Sequence, residues 1–135
     1  MKLFFFLLFI FQFSYANDQT FIDKQSHLQW QDSSSAEEKE DKWAMSGSYC
    51  RTLNLGGYRD WRLPSIAELQ TLVPVAQGKI SGKKLQHNSL SDYWTNEEYK
   101  EDDTNAWEIY MGTGHHFFND KCETAHVRCV RVLSH

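Results

Sequence analysis

The spacing of apolar residues changes once along this 135-residue chain, and that change constrains the fold more than any other feature of the sequence. Over residues 36–53, apolar and small side chains recur at helical spacing and predict a first helix. Ser65 and Glu68 form a capping-box pattern at the start of a second helix, which we expect Pro74 to end. Strand-like segments fill the last third, at 93–95, 106–111, 115–118 and 125–133. Two helices followed by antiparallel strands are typical of an α+β domain.

Local signals set the boundaries of these elements. Ser35 followed by Glu38 predicts a capping box at the start of the first helix. Residues 74–88 show no periodicity, so we expect a long loop there. Turn residues separate neighbouring strand segments, which predicts two hairpins. The first hairpin would consist of 21–23 and 28–30. The second would consist of 106–111 and 115–118, joined by Gly112-Thr113-Gly114.

The N-terminal segment has the three parts of a cleaved secretory signal peptide. Met1-Lys2 precedes an apolar run over 3–13, and Ser14-Tyr15-Ala16 supplies the small residues of a cleavage site. The run covers 11 residues, whereas a membrane-spanning helix needs about 20. We therefore expect cleavage after Ala16, a single domain over 17–135 that does not span a membrane, and a secreted or periplasmic location.

Charge and aromatic content limit the partners of the exported chain. Without the signal peptide it carries 13 basic and 18 acidic residues, a formal charge of −5. That balance argues against nucleic acid and against heparin-like polyanions as partners. All five tryptophans and five of the six tyrosines remain in the exported chain. Such side chains bury large areas and also suit ligand surfaces.

Several short segments together resemble one family. The most specific of them is the block Gly56-Gly57-Tyr58-Arg59-Asp60-Trp61-Arg62-Leu63-Pro64-Ser65. The other segments are 28–32, 49–50, 68–69, 93–95, 106–107 and 127–131. In combination they resemble the Lcl C-terminal domain family, a module of exported bacterial proteins, over essentially the whole exported chain.

This resemblance implies both a fold and a class of function. The fold is C-type-lectin-like, with two helices packed on an antiparallel β-sheet and long loops, and it is related to formylglycine-generating enzymes. The implied function is adhesion-type binding, for which sulfated glycosaminoglycans are the ligands associated with the family.

Three cysteines remain after cleavage, and two of them should pair in an oxidising compartment. As in the long bridge of C-type lectins, Cys50 on the first helix and Cys129 on the last strand would tie the ends of the domain together. Closing that 79-residue loop contributes about 4–5 kcal/mol in the chain-entropy model. Cys122 would then be a free or intermolecular thiol, in a monomer or a Cys122-linked dimer. The rival pair, Cys122 with Cys129, closes a short loop.

The motif residues have a structural interpretation. Arg62, followed by Leu63 and Pro64, is expected to be partly buried, with loop carbonyls or Asp60 as its partners. Large apolar side chains of the motifs are expected to fill the core. They are Trp61, Leu63, Trp94 and Trp107.

A ligand surface is predicted on the loops 78–92 and 97–105, because loops on a rigid scaffold commonly carry recognition. Tyr99 and Trp94 would stack on a sugar or a peptide. The candidate ligand-binding residues are Trp94, Glu97, Glu98, Tyr99, Asn119 and Asp120. Calcium is the one cofactor considered, because carboxylate and amide oxygens are its ligands in proteins. Its candidate ligands are Glu97, Asp103, Asn119 and Asp120.

The sequence therefore predicts a non-catalytic binding module that recognises a glycan or another surface ligand. It contains no nucleophile motif, no His-Glu-x-x-His and no phosphate-binding loop. Two alternatives remain open. The first is a structural envelope protein that dimerises through Cys122. The second is a thiol- or copper-dependent oxidase, similar to the formylglycine-generating enzymes, in which Cys122 and Cys129 form the reactive pair.

Overall fold

The computed structural model describes residues 19–134, so the predicted signal peptide lies outside the described residues. Within that range the chain forms three helices and two β-sheets, which confirms the α+β class. No helix in the described range is both long and apolar enough to cross a membrane.

The smaller sheet brings the two ends of the described chain together. Strands β1 (Thr20–Asp23) and β2 (Leu28–Gln31) form the predicted N-terminal hairpin. Strand β8 (Val130–Val132) pairs with β2 in antiparallel orientation, so the order is β1-β2-β8. The last strand is therefore hydrogen-bonded to one of the first.

The larger sheet has five strands in the order β3-β7-β4-β5-β6. Most of its pairs are antiparallel, and the predicted hairpin of β5 with β6 is present. Its turn contains Gly114 at φ +82°, a left-handed conformation that favours glycine. The strands are β3 (Glu40–Asp41), β4 (Asp92–Glu98), β5 (Asn105–Tyr110), β6 (His116–Asp120) and β7 (Ala125–His126).

The prediction of one continuous strand over 125–133 is wrong, because this segment is divided between the two sheets as β7 and β8. The residues between them make other contacts. The Arg128 guanidinium donates to the Gln31 carbonyl, and the Cys129 amide donates to the Gln31 side chain. These contacts direct the chain from one sheet into the other.

The predicted helix over 36–53 is confirmed only in part, because it is not continuous. The segment consists of α1 (Ser34–Glu38), the short strand β3, and α2 (Trp43–Thr52). Pairing of β3 with β7 keeps the chain extended between the two helices. Ser35 forms no capping box, because its hydroxyl hydrogen-bonds to Gln31 and Tyr49 instead.

Helix α3 (Ile66–Ala76) begins where the sequence predicted. The Glu68 amide donates to the Ser65 hydroxyl at 3.1 Å, and the Ser65 amide donates to the Glu68 carboxylate at 2.9 Å, which completes the capping box. Pro74 does not end the helix. It lies within the last turn, where the amide of Gln77 still donates to the carbonyl of Val73. A proline lacks the amide donor and its ring crowds the carbonyl four residues earlier, but only two helical residues follow Pro74.

Two groups of buried side chains form the core. One lies between α3 and both sheets and includes Trp30, Leu72, Tyr93, Ile109 and Val130. The second surrounds the disulfide and includes Trp61, Leu63, Trp94 and Val127.

The disulfide joins Cys50 to Cys129, whose Cα atoms are 5.5 Å apart, and this confirms the predicted pair. Both cysteines are fully buried. The bond connects α2 to the segment between β7 and β8, which links the two sheets. It therefore fixes the second part of the core covalently.

Arg62 is partly buried and donates to the Leu63 carbonyl at 3.3 Å, as expected, but its carboxylate partner is Glu68 and not Asp60. Its guanidinium donates to both oxygens of Glu68, at 2.6 and 2.8 Å, and this contact holds the pKa of Glu68 below its usual value. Asp60 accepts instead from Arg131 at 2.7 Å. The reason is the capping box, which already places the Glu68 carboxylate beside the start of α3.

Buried polar groups anchor the long loop before β4. The Arg128 side chain is 2% exposed, donates to the His87 carbonyl and lies 3.6 Å from the Asp32 carboxylate. The same carboxylate accepts from the amides of Gln86 and His87, each at 2.8 Å. The end of the loop is therefore attached to the residue that follows β2.

Candidate functional site: an aromatic cleft

Four rings form a cluster on the outward side of β5 and β6, and we call them the aromatic cluster: Tyr99, Trp107, His116 and Phe118. The rings of Tyr99 and Phe118 stack at 4.1 Å with an interplanar angle of 7°. Trp107 is nearly perpendicular to both, with centroid distances of 5.5 and 5.7 Å. His116 completes the cluster 5.2 Å from Trp107. Phe118 remains 47% exposed, so this packing leaves aromatic surface accessible.

Strand register explains why these residues meet. Trp107 in β5 lies directly opposite Phe118 in β6, and directly opposed residues of antiparallel strands share one face of a sheet. The neighbours of Trp107, Ala106 and Glu108, are both buried. The core position expected for Trp107 is wrong, because this side chain is only half-buried and belongs to neither core cluster, although Ile109, two positions along the same face, is fully buried.

The loop that carries Tyr99 is held by its own hydrogen bonds. Asp102 accepts from the amide and the hydroxyl of Thr104, at 3.0 and 2.7 Å, and from the side chain of Asn105 at 3.1 Å. The bonds from Thr104 lower the pKa of Asp102. The Tyr99 amide also donates to the Asn105 carbonyl. A loop constrained in this way loses little conformational freedom when a ligand binds.

A cleft of about 480 Å³ lies beside the aromatic cluster, and we call it the aromatic cleft. Two of its lining residues, Tyr99 and Trp107, belong to the cluster. The other lining residues are Glu97, Glu98, Lys100 and Glu101. Aromatic rings and carboxylates therefore meet in one concave surface.

Each carboxylate of the cleft has a defined contact. Glu97 accepts from the Ile66 amide at 2.6 Å, at the first residue of α3. Glu101 accepts from the Tyr99 hydroxyl, and this bond raises the pKa of Tyr99. One oxygen of Glu98 lies 3.6 Å from the Lys121 ammonium. The carboxylates are thus positioned by neighbouring elements.

The structure brings together three of the predicted ligand-binding residues, Glu97, Glu98 and Tyr99. Trp94 is placed elsewhere. It is fully buried and its indole donates to the Asp41 carbonyl at 2.8 Å, so it cannot stack on a ligand. Asp120 accepts from the Cys122 amide at 2.7 Å and does not line the cleft.

The predicted loop 78–92 contributes no lining residue to the cleft. Asn119 is half-buried on β6, next to the exposed Asp120, and it does not line the cleft either. Of the two loops predicted to form a ligand surface, 97–105 lines the cleft together with Trp107 of β5, and 78–92 does not.

The candidate calcium ligands do not converge. Within residues 19–134, no group of three or more His, Cys, Asp or Glu side chains is arranged to hold a metal ion. Glu97 and Asp120 each direct one oxygen to a backbone amide.

Sequence reasoning missed Phe118 and the partial exposure of Trp107. One signal was present: Phe118 alternates with the polar residues His116 and Asp120, so the three share the outward phase of β6. For β5 the signal was misleading. A glutamate beside a tryptophan suggests that the glutamate faces solvent, but Glu108 is 1% exposed.

The third cysteine lies apart from the disulfide. Cys122 is exposed and is not bonded to another cysteine of the described chain. The oxidase alternative requires Cys122 and Cys129 as a reactive pair. Because Cys129 is bonded to Cys50, that pair is not formed.

Fold and site together define a small, disulfide-tied α+β domain with an exposed aromatic cleft on its larger sheet. Comparison with known protein families matches residues 19–131 to the Lcl C-terminal domain. The chain therefore belongs to the Lcl C-terminal domain family, as its sequence motifs predicted. A search of curated proteins finds no match.

Proposed function

We propose that this protein is a secreted or periplasmic, non-catalytic binding module of C-type-lectin-like fold. Its ligand is a glycan or another cell-surface molecule, bound in the aromatic cleft. The observation that carries the proposal is the stack of Tyr99 on Phe118 beside a half-buried Trp107. Soluble proteins seldom leave such rings clustered at the surface without a binding role.

Aromatic side chains suit this task for a physical reason. A tyrosine or tryptophan offers a large, rigid face and loses little conformational entropy when it is covered. Sugar rings present apolar C–H faces that can stack on such a side chain, while their hydroxyls need hydrogen-bond partners. Carboxylates that line the aromatic cleft supply hydrogen-bond acceptors. A pocket that combines aromatic faces with a few polar groups is typical of selective binding sites.

Two further features support the proposal. The Cys50–Cys129 bond favours an oxidising compartment, which agrees with the predicted signal peptide. The hydrogen-bonded turn at Asp102 holds the cleft loop on a stable sheet, and loops on rigid scaffolds are common sites of recognition.

A panel of immobilised glycans and cell-surface extracts tests the proposal. The exported chain should bind at least one of them, and Trp107→Ala should weaken that binding by about tenfold or more, as expected when a central aromatic contact is removed. Leu90→Ala is the control. It also removes a large, partly exposed apolar side chain, since Leu90 is 47% exposed, but Leu90 does not line the cleft. Circular dichroism should show that both variants fold.

Two outcomes would contradict the proposal. One is a folded protein that binds nothing on the panel. The other is binding that Trp107→Ala leaves unchanged, which would place the ligand elsewhere on the surface.

A second candidate function is favoured by the exposed thiol of Cys122. In this alternative the protein is an envelope component that forms a disulfide-linked dimer. A non-reducing gel should then show twice the monomer mass, and Cys122→Ser should abolish that band. A monomer on the non-reducing gel, isolated under oxidising conditions, would remove this candidate.

A further inference from the structure

The aromatic cleft is acidic as well as aromatic. Three of its six lining residues are glutamates and one is a lysine. Lys121, the next basic group along the sheet edge, has its ammonium 3.6 Å from Glu98 and 4.5 Å from the centre of the Trp43 ring. Its charge is therefore already matched by Glu98 and the Trp43 ring.

The cleft carboxylates also keep capacity for a ligand. Glu97 uses Oε2 to accept from the start of α3, and Glu101 uses Oε2 to accept from Tyr99. In each case the second oxygen lies outside that bond. These groups are held in place by protein contacts, so they can meet a donor without first becoming ordered.

This charge distribution discriminates between kinds of ligand. A sulfate or carboxylate beside these glutamates would meet like charges, and the repulsion is stronger at a protein surface than in bulk water. A neutral sugar could stack on the rings but would leave the carboxylates of Glu97 and Glu101 without a cationic partner, whereas Glu98 already has Lys121. An ammonium group is attracted by the carboxylates and also by the rings, because cations bind to the faces of tryptophan and tyrosine.

We infer that the ligand of the aromatic cleft is a glycan that bears free ammonium groups, such as an oligosaccharide of non-acetylated amino sugars. The inference rests on the proposed function and names its ligand class. The sugar ring stacks on Trp107 or Tyr99, and the ammonium lies beside the carboxylate oxygens that Glu97 and Glu101 do not use for their protein contacts. This ligand has the opposite charge to the polyanions that the family resemblance implies.

A matched pair of oligosaccharides tests the inference. Glucosamine and N-acetylglucosamine oligomers of equal length present similar ring faces, but only the first is positively charged when its amines are protonated. Titration calorimetry with the exported chain, in mildly acidic buffer, should show that the glucosamine oligomer binds about tenfold or more tightly. Added salt should weaken this binding, because exposed charges are screened.

Substitutions that neutralise a single glutamate test whether the ammonium groups bind in the aromatic cleft. Glu101→Gln keeps an acceptor for the Tyr99 hydroxyl but removes the charge, so it should weaken glucosamine binding about threefold to tenfold. Glu38→Gln is the control, because it removes one exposed charge from α1, outside the cleft. It should leave the affinity unchanged.

The result that overturns the inference differs from the one that overturns the proposed function. Equal binding of both oligomers, lost in Trp107→Ala, would support the cleft but refute the requirement for positive charge. If neither oligomer binds, the inference also fails, while the glycan panel still decides the proposed function.

Discussion

Glu108 lies in the middle of β5 and faces the protein interior, where it is 1% exposed. Its cross-strand partner on β4 is the fully buried Trp94. Within the described part of the chain, Oε2 of Glu108 has no hydrogen-bond partner. Burial, together with the negative charges of Asp92 and Glu123, raises the pKa of Glu108 to about 7, although the side chain of Asn119 acts in the opposite direction. This carboxyl group therefore changes its charge near neutral pH inside the fold.

This position predicts a pH dependence of stability. The folded-state pKa of about 7 exceeds the ordinary value of 4.5, so between these values the folded chain binds more protons than the unfolded chain. Stability then falls as the pH rises. From pH 5 to pH 8 the free energy of unfolding should decrease, by an amount on the order of 2–3 kcal/mol.

Urea unfolding of the wild type and of Glu108→Gln, at both pH values, checks this prediction. The glutamine cannot ionise, so the decrease should be largely absent. Burial also raises the pKa of Asp92 and adds a slope of the same sign, which the variant retains. Glu68 and Asp60 have lowered pKa values and affect stability only at more acidic pH. An unchanged slope in the variant would contradict this account of Glu108.

At the scale of elements, α3 and the segment 34–52 show two different outcomes. The start of α3 depends on Ser65 and Glu68, which are three positions apart, so a local pattern was sufficient to predict it. The segment 34–52 carries a helical pattern too, but β3 interrupts it by pairing with β7. That pairing involves residues about 85 positions away, and no local pattern contains it.

The capping box yields a stability prediction. Ser65→Ala removes the hydroxyl that accepts from the Glu68 amide, so it should lower the free energy of unfolding by about 0.5–2 kcal/mol. Urea unfolding measures this change. The control is Ser81→Ala at an exposed turn position, which should stay within about 0.5 kcal/mol of the wild type. Equal effects of the two substitutions would mean that the cap does not stabilise α3.

At the scale of the whole molecule, the C-terminal segment is connected twice to the first third of the described chain. Strand β8 pairs with β2, and Cys129 is bonded to Cys50 across 79 residues. Arg131 adds hydrogen bonds to Gln29 and Asp60, at 2.6 and 2.7 Å. In sequence, the long loops and the residues of the aromatic cleft lie between Cys50 and Cys129.

Removal of the disulfide should therefore destabilise the entire domain. Relative to a Cys122→Ser background that prevents thiol exchange, Cys50→Ala combined with Cys129→Ala should lower the free energy of unfolding by about 2–5 kcal/mol. Thermal and urea unfolding under non-reducing conditions measure this change in the free energy of unfolding. Cys122→Ser alone is the control and should have little effect, because that thiol is exposed and unbonded within the described chain. A fully stable double variant would show that the pairing of β8 with β2 is sufficient.

By itself, the sequence determined the α+β class, both hairpins, the start of α3, the family and, through that resemblance, the disulfide pair. Apart from the pair, these features follow from residues that are close in sequence or from a specific motif. Three of the candidate ligand-binding residues, Glu97, Glu98 and Tyr99, also lie next to one another in the chain.

Only the tertiary structure decided the rest of the site. The partial exposure of Trp107 could not be predicted from strand phase, because Ile109 on the same face of β5 and Glu108 on the opposite face are both buried. The contact of Tyr99 with Phe118 depends on the register of β6, which residues far apart along the chain determine together. Periodicity describes which residues share a face, but packing between distant segments determines which of the two faces is buried.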